Sequence, residues 1–287
     1  MEANPRRRKN RRSRRPSGGS HRIRYNPAAH RLLLFLRILM LACVAAIAVF
    51  ASLLIRDGGE YARGDTAYAQ VRSLLRTQSA SAVTSAALPA ASAPPSGPVA
   101  DPGLDFSALQ AINADVVGWL SAQGRTIDYP VVRGADNEYY LTHLFNRQRN
   151  KLGSLFMDYR NHGDLTDKNT VIYGHNMKDG SMFASVLFYK DQKYYDSFPD
   201  MALYTPSGDY RILFFAGIVA DGDYEFVRFR FDNDGDFLRY IASLKEKSAF
   251  QSDVDIDAGE QIVTLCTCSY EYNNARFALF GKLERLK

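Results

Sequence analysis

The 287-residue sequence is poor in the side chains that build disulfide frameworks and metal centres. It contains three cysteines (Cys43, Cys266, Cys268) and five histidines. There is no second cysteine cluster and no His-x-x-x-His spacing, so a closed zinc site with four ligands is not expected. Cys266 and Cys268 lie one residue apart in the run VTLCTC. On an extended strand their Cα atoms would be about 6.5–7 Å apart, at or beyond the edge of disulfide geometry. A bridge between them is therefore not expected. DNDGD (232–236) hints at a calcium loop, but that loop needs Gly sixth and an acid twelfth, so these residues read as helix-cap material. No internal repeat is present.

Charge of both signs is absent from Ile38 to Ile55, 18 residues that are almost entirely apolar. As a helix rising ~1.5 Å per residue this run spans about 27 Å, close to the ~30 Å hydrocarbon core of a bilayer. Arg37 lies toward one end, from which it can snorkel to the headgroups. Residues 32–55 therefore read as a transmembrane anchor. A cleaved signal peptide is the competing reading, but its apolar region usually has only about 7–15 residues. Residues 1–31 carry eleven Lys/Arg and one acid, a net of +10, and the remaining chain carries a net of −5. Taken alone, the basic tail suggests nucleic acid or anionic lipid. Beside an anchor, the positive-inside rule accounts for it. It makes 1–31 a cytoplasmic tail, places everything after Ile55 outside the membrane, and leaves no nucleic-acid partner. Cys43 falls inside the anchor as an apolar filler.

Residues 79–103 contain five prolines, one charge and no aromatic residue, so they cannot fill a core. Residues 56–103 are expected to form an external spacer, with a short helix within 60–78. The folded domain is expected over 104–287, long enough for one substantial core. Its pattern is strand-rich. DVVGWLSA, IDYPVV, GSLFMDY, NTVIYGH, MALYTP, DYRILFFAGIVA, DYEFVRFRF, QIVTLCTC and ARFALFGKL read as strands. FSALQAIN, DNEYYLTHL, SMFASVLFYK and DFLRYIASLKEK read as helices. The sum is an α+β, mainly β domain, a closed or nearly closed barrel with peripheral helices.

The Cys-Thr-Cys run admits three readings: a redox pair, half a metal site, or a nucleophile with its helpers. The third asks for a base and an oxyanion partner. The loop 269–274 is short and ends in Asn-Asn, which tolerates turn geometry. Cys268 would then end one strand and Arg276 open its antiparallel neighbour. A guanidinium is always charged and rich in donors, and so suits a tetrahedral oxyanion. Among the histidines, His21 and His30 precede the anchor, and His143 and His162 sit in polar, loop-like surroundings. His175 ends a strand just after Gly174 and is the best candidate base.

These residues resemble a known family. TLCTC, with Arg276 eight residues on, resembles the Thr-Leu-X-Thr-Cys signature of sortases. NADVVGWLSAQGRTIDYPVVRGADNEYYL (113–141), GSLFMDYRN (153–161), NTVIYGHNMKDGSMF (169–183) and VTLCTC (263–268) are similar, in order, to class B sortases. A helix at 236–247 before the cysteine strand agrees with that class. The resemblance implies an eight-stranded sortase barrel behind one N-terminal anchor. It also implies a surface cysteine transpeptidase of Gram-positive-type bacteria that works without metal or cofactor. By motif Cys268 is the nucleophile, His175 the catalytic histidine and Arg276 the catalytic arginine. Asn137 and Leu141 correspond to residues lining the signal groove, and Thr267 and Ser269 flank the nucleophile. Position 266, often serine in this class, is cysteine here. The implied partners are secreted proteins with a C-terminal sorting signal, of Asn-Pro-Gln-Thr or Pro-X-Thr-Gly type, and an amine on a peptidoglycan precursor or a pilin. Asp101-Pro102-Gly103 lacks the aromatic lid residue common in pilus-type enzymes, which favours wall anchoring over polymerisation. A cysteine hydrolase and a non-enzymatic tethered binding module on the same fold are the rivals.

Overall fold

The computed structural model describes residues 27–83, 104–222, 227–269 and 274–286. Most of the basic tail, the Pro-rich stretch with Asp101-Pro102-Gly103, and the middle of the loop after Ser269 lie outside them. The chain divides after Ile55 into two compact units. Helix α1 runs Pro27–Val83. From residue 31 to 56 its side chains are exposed although nearly all are apolar. Among the described residues it is the one helix long and apolar enough to cross a membrane.

In the unit Arg56–Lys287 eight strands close a barrel. They are β1 (Val116–Ala122), β2 (Asp128–Val132), β3 (Leu155–Met157), β4 (Asn169–Tyr173), β5 (Asp200–Thr205), β6 (Gly208–Asp221), β7 (Ile262–Cys268) and β8 (Ala275–Arg285). Their order around the barrel is β1-β2-β3-β4-β7-β8-β6-β5. The β2–β3 and β4–β7 pairs are parallel, the rest antiparallel. β4 is buried along its whole length, and β7 up to its last residue. That explains why both read as continuous apolar or small runs rather than alternating ones. One core fills the barrel, and a second lies where Phe237, Ile241 and Leu244 of α4 (Asp234–Lys247) cover Ile262, Ala278 and Phe280. α4 starts where predicted, with Asn233 Oδ1 accepting from Asp236 N at 3.0 Å, acids in its first turn and lysines in its last. Two shorter helices, α2 (Phe106–Ile112) and α3 (Gln192–Ser197), complete the periphery.

Two expected helices are only 3-10 turns, Tyr139–Leu141 and Ala184–Lys190. The strand expected over 223–231 begins outside the described residues, and its described part, 227–231, pairs with no strand. The barrel is already closed by β6 against β8, so no edge is left for it. Its alternating apolar residues serve as pins instead. Val227 is buried in the barrel core, and Phe231 packs edge-on against Phe237 of α4, with centroids 5.0 Å apart.

The compact unit that holds the barrel also includes the part of α1 from Arg56 onward. Gly64, Tyr68 and Val71, at helical spacing on α1, face the segment before β3 and the barrel core. A Cβ on Gly64 would lie 2.9 Å from Leu152 Cδ2, so the helix approaches closely there. Tyr68 is buried, packs edge-on to Tyr129 at 5.0 Å, and donates its hydroxyl to Gly153 O at 2.6 Å. Asn150 Nδ2 donates to Glu60 O at 2.8 Å, and Lys151 Nζ lies 3.6 Å from the Tyr61 ring centroid. Tyr68→Phe leaves a buried carbonyl without its donor and is expected to destabilise this unit by about 1–3 kcal/mol. A chain starting at Leu104 is expected to unfold at lower urea than one starting at Arg56. Fluorescence of Trp119, buried in β1, reports both. Equal midpoints would show that α1 adds nothing to the barrel.

Candidate active site

The site forms where β4, β7 and β8 meet. β4 lies parallel to β7 with Tyr173 opposite Cys266. Gly174 and His175 therefore leave β4 beside Thr267 and Cys268. Gly174 N donates to Cys266 O at 3.2 Å, and Thr267 Oγ1 donates to Gly174 O at 2.8 Å. Any larger residue at 174 would force its neighbours to shift, because a Cβ would sit 2.5 Å from Leu155 Cδ2 and 2.6 Å from Phe183 Cδ2. On the other side β8 runs antiparallel, with Arg276 opposite Cys268. Ser269 N donates to Ala275 O at 2.9 Å, and Asn274 takes the turn at φ 65°. Asparagine visits this left-handed region more readily than most side chains.

Cys268, His175 and Arg276 line one cavity of about 400 Å³, together with Asn137, Leu141 and Cys266. The i, i+2 spacing puts both thiols on the cavity side of β7. Both are free. Cys266 is fully buried, and burial pushes its thiol up to about 12, with the Cys268 side chain adding to the rise and Arg276 opposing it. It is therefore a protonated, apolar wall at neutral pH. His175 has Nε2 2.7 Å from Leu141 O. A carbonyl only accepts, so Nε2 carries the hydrogen and, in the neutral ring, Nδ1 is the acceptor nitrogen. His143 stacks on Tyr139 at 4.0 Å and His162 bonds Asp167 at 2.8 Å; neither lines the cavity. Among the described residues no three His, Cys, Asp or Glu side chains converge to hold a metal.

Five of the seven residues singled out in the sequence thus share the cavity. Thr267 and Ser269 do not line it. Thr267 points to the other face of β7 and is occupied by Gly174 O, while Ser269 is buried with its hydroxyl accepting from Lys190 Nζ at 2.9 Å. Both support the cysteine strand from behind. Asn137 lines the cavity, but its amide is engaged by the protein: Nδ2 donates to Asp158 Oδ2 at 2.9 Å, and Oδ1 accepts from Tyr159 N at 3.1 Å.

That bond exposes a residue the sequence reading missed. Asp158 is wholly buried behind the cavity wall and accepts from Arg160, Asn137 and Tyr173. Burial alone would raise its carboxyl, but these bonds outweigh it and hold it below the ordinary carboxylate range. Gly153 is the second such residue. Its φ is 58°, and a Cβ there would lie 2.6 Å from Tyr140 O, 2.8 Å from Leu141 O and 3.1 Å from His175 Cδ2. It seats the carbonyl that holds His175, while its own carbonyl accepts from Tyr68.

Where glycine has an ordinary backbone, Gly→Ala stabilises by about 0.4–1 kcal/mol. Gly153→Ala is instead expected to destabilise by about 1–3 kcal/mol in urea unfolding, since it forces a left-handed alanine against two carbonyls. An unchanged or raised midpoint would contradict this packing. The Cys266 environment gives a second prediction. With Cys43 replaced by alanine, iodoacetamide at pH 8 should modify Cys268 and spare Cys266 until the protein unfolds. Rapid modification of Cys266 in folded Cys268→Ala would show that the thiol is not buried as described.

No protein-family model matches the chain. Sortase B of Listeria monocytogenes is 38% identical over 177 residues, which is 61% of this chain and 72% of that protein. Sortase B of Staphylococcus aureus is 33% identical over 180 residues, 62% of this chain and 74% of that protein. A crystal structure of Staphylococcus aureus sortase B superposes with a TM-score of 0.60 at 32% identity, covering 63% of this chain and 87% of that one. A Bacillus anthracis protein described as similar to sortase B reaches 0.66 at 30% identity, covering 79% and 98%. With a closed eight-stranded barrel and relatives of this identity over most of their length, the chain belongs to the class B sortases, a family of cysteine transpeptidases.

Proposed function

We propose that this protein is a membrane-tethered transpeptidase. It cleaves a C-terminal sorting signal after threonine through a thioester on Cys268 and passes the acyl group to an amine of a peptidoglycan precursor. The observation that carries this reading is the convergence of Cys268, His175 and Arg276 on one cavity. A solved Staphylococcus aureus sortase B–substrate complex and a sortase B complexed with triglycine support a peptide donor and an amine acceptor. The tether rests on the apolar part of α1, and its cytoplasmic N-terminus on the eleven basic residues of the tail.

Ionised Cys268 attacks the threonine carbonyl, since thiolate rather than thiol is the nucleophile. Negative charge grows on the carbonyl oxygen, and the Arg276 guanidinium, opposite Cys268 across the ladder, stabilises it. Protonated His175 gives its Nδ1 proton to the departing amine, while the Leu141 carbonyl holds the ring through Nε2. The thioester remains, and the cleaved tail leaves. The incoming amine loses a proton to Nδ1 and attacks, the C–S bond breaks, and an amide forms. Cys266 keeps an apolar, protonated wall next to the thioester and takes no part in proton transfer.

Intact-mass spectrometry of the full chain in detergent tests this, using a panel of Asn-Pro-Gln-Thr and Pro-X-Thr-Gly peptides with and without triglycine. The expected result is a mass gain equal to the peptide up to its threonine, absent in Cys268→Ala and discharged faster by triglycine than by water. Arg276→Ala should slow adduct formation by about 10²–10³-fold, the usual cost of removing one oxyanion donor. Discharge by water alone would make the protein a hydrolase. No adduct with any peptide would overturn the reading.

A further inference from the structure

Tyr68 of α1 lies at the head of two routes that both end on His175. The first runs to the ring. The Tyr68 hydroxyl donates to Gly153 O at 2.6 Å and lies 3.3 Å from Ser154 Oγ. Ser154 N donates to Tyr140 O at 3.0 Å and Asn150 N to Thr142 O at 2.9 Å, so residues 150–154 hold the carbonyls on either side of Leu141 O. Gly153 packs against Leu141 O itself, which His175 Nε2 meets at 2.7 Å. The second route runs to the backbone. Tyr68 packs edge-on against Tyr129, and the Arg72 guanidinium lies over the Tyr129 ring, 5.4 Å from its centroid. The Tyr129 hydroxyl accepts from Met182 N at 3.4 Å, and the next residue, Phe183, donates its N–H to His175 O at 2.9 Å.

Cys268 and Arg276 are placed differently. They face each other across the β7–β8 ladder, and the register of those two strands fixes them. His175 has already left β4, whose last residue is Tyr173. A side chain that gives and takes a proton at one atom needs its ring held more closely than a strand end provides. Of the three, His175 is therefore the one whose geometry depends on α1. Burial pushes the Tyr68 hydroxyl well above the ordinary tyrosine range, so it remains a donor at neutral pH.

We propose that Tyr68 is a positioning residue for His175, and that α1 from Glu60 to Arg72 belongs to the catalytic apparatus rather than to a spacer. Loss of the Tyr68 contacts leaves the nucleophile and its oxyanion partner in place and misplaces the proton donor. The proposal rests on the transpeptidase reading above and deepens it. Proton transfer to the leaving amine, not attack by sulfur, is the step that α1 controls.

The test compares two leaving groups on the full chain in detergent. With the panel peptides, the C–N bond after threonine breaks and the departing nitrogen takes the His175 proton. With the same peptides ending in an alkyl thioester at the threonine carbonyl, Cys268 displaces a thiolate, the C–S bond breaks, and the leaving sulfur needs no proton. Tyr68→Phe is expected to lower kcat for acylation by the amide peptides about tenfold or more, because a misplacement of ~1 Å can cost on the order of 10²-fold. KM for those peptides, and kcat with the thioesters, should stay within about twofold, since neither depends on the donated proton. Gly64→Val pushes α1 away from Leu152 without touching the Tyr68 hydroxyl. It should show the same selective loss, and it decides alone if Tyr68→Phe does not fold. Phe237→Leu loosens the cluster under α4 and should slow neither substrate by more than about twofold. Equal slowing of amide and thioester substrates marks a purely structural role and overturns the proposal. So does an unchanged Tyr68→Phe, or the same selective loss in Phe237→Leu. A wild type that forms no acyl-enzyme with any amide peptide defeats the transpeptidase reading itself, an outcome distinct from a variant that loses only the amide reaction.

Discussion

The position of β7 between β4 and β8 is the constraint on which the site depends. Side chains on a strand alternate, so a slip of one residue would turn both cysteines away from the cavity and bring Thr267 in. Several contacts forbid that slip. Thr264 Oγ1 donates to Asn169 Oδ1 at 2.8 Å, Gly174 N to Cys266 O, and Thr267 Oγ1 to Gly174 O. Apolar burial on both faces of β7 adds to them, because core packing and the second cluster under α4 each hold one face. A parallel partner carrying the histidine and an antiparallel partner carrying the arginine then reach the same point from opposite sides.

The other half of the cavity is not made by regular structure. Residues 137–160 are mostly turns, and a few polar groups fix them. The Tyr68 hydroxyl of α1 holds Gly153 O, Gly153 packs against Leu141 O, and Leu141 O orients His175. Asp158 does the same for Asn137, Tyr173 and Arg160. Tyr68 and Asp158 are buried, so removing either leaves its partners unsatisfied in a dry place. The histidine ring and the groove wall are thus held by these bonds although the backbone carrying them is irregular.

Much of this was legible in the sequence. The eight strands of the barrel follow from β-branched and aromatic runs between turn residues. Asn233 and the apolar spacing behind it mark α4. The Cys268–Arg276 pairing follows from one short loop ending in asparagine. Other features were hidden for physical reasons. Gly64, Tyr68 and Val71 make a narrow apolar stripe in a polar helix, too short to separate a docked segment from a spacer. Val227 to Phe231 alternate like a strand, and only the closure of the barrel denies them a partner. Thr267 and Ser269 flank the nucleophile in sequence, yet pleating and burial turn them away from the cavity. Asp158 fell inside the expected strand GSLFMDY, and only its burial and its donors Arg160, Asn137 and Tyr173 show that it organises a wall.

The central claim is that Cys268, His175 and Arg276 act on one carbonyl. The most direct test is a crystal structure of the full chain captured by a threonine aldehyde of whichever panel peptide acylates it. A thiol adds to an aldehyde to give a tetrahedral hemithioacetal. The account predicts a bond from Cys268 Sγ to that carbon, the Arg276 guanidinium donating to its oxygen, and His175 Nδ1 facing the side from which the amine leaves. An adduct whose oxygen points away from Arg276, or a His175 ring turned so that Nδ1 bonds Leu141 instead, would contradict it.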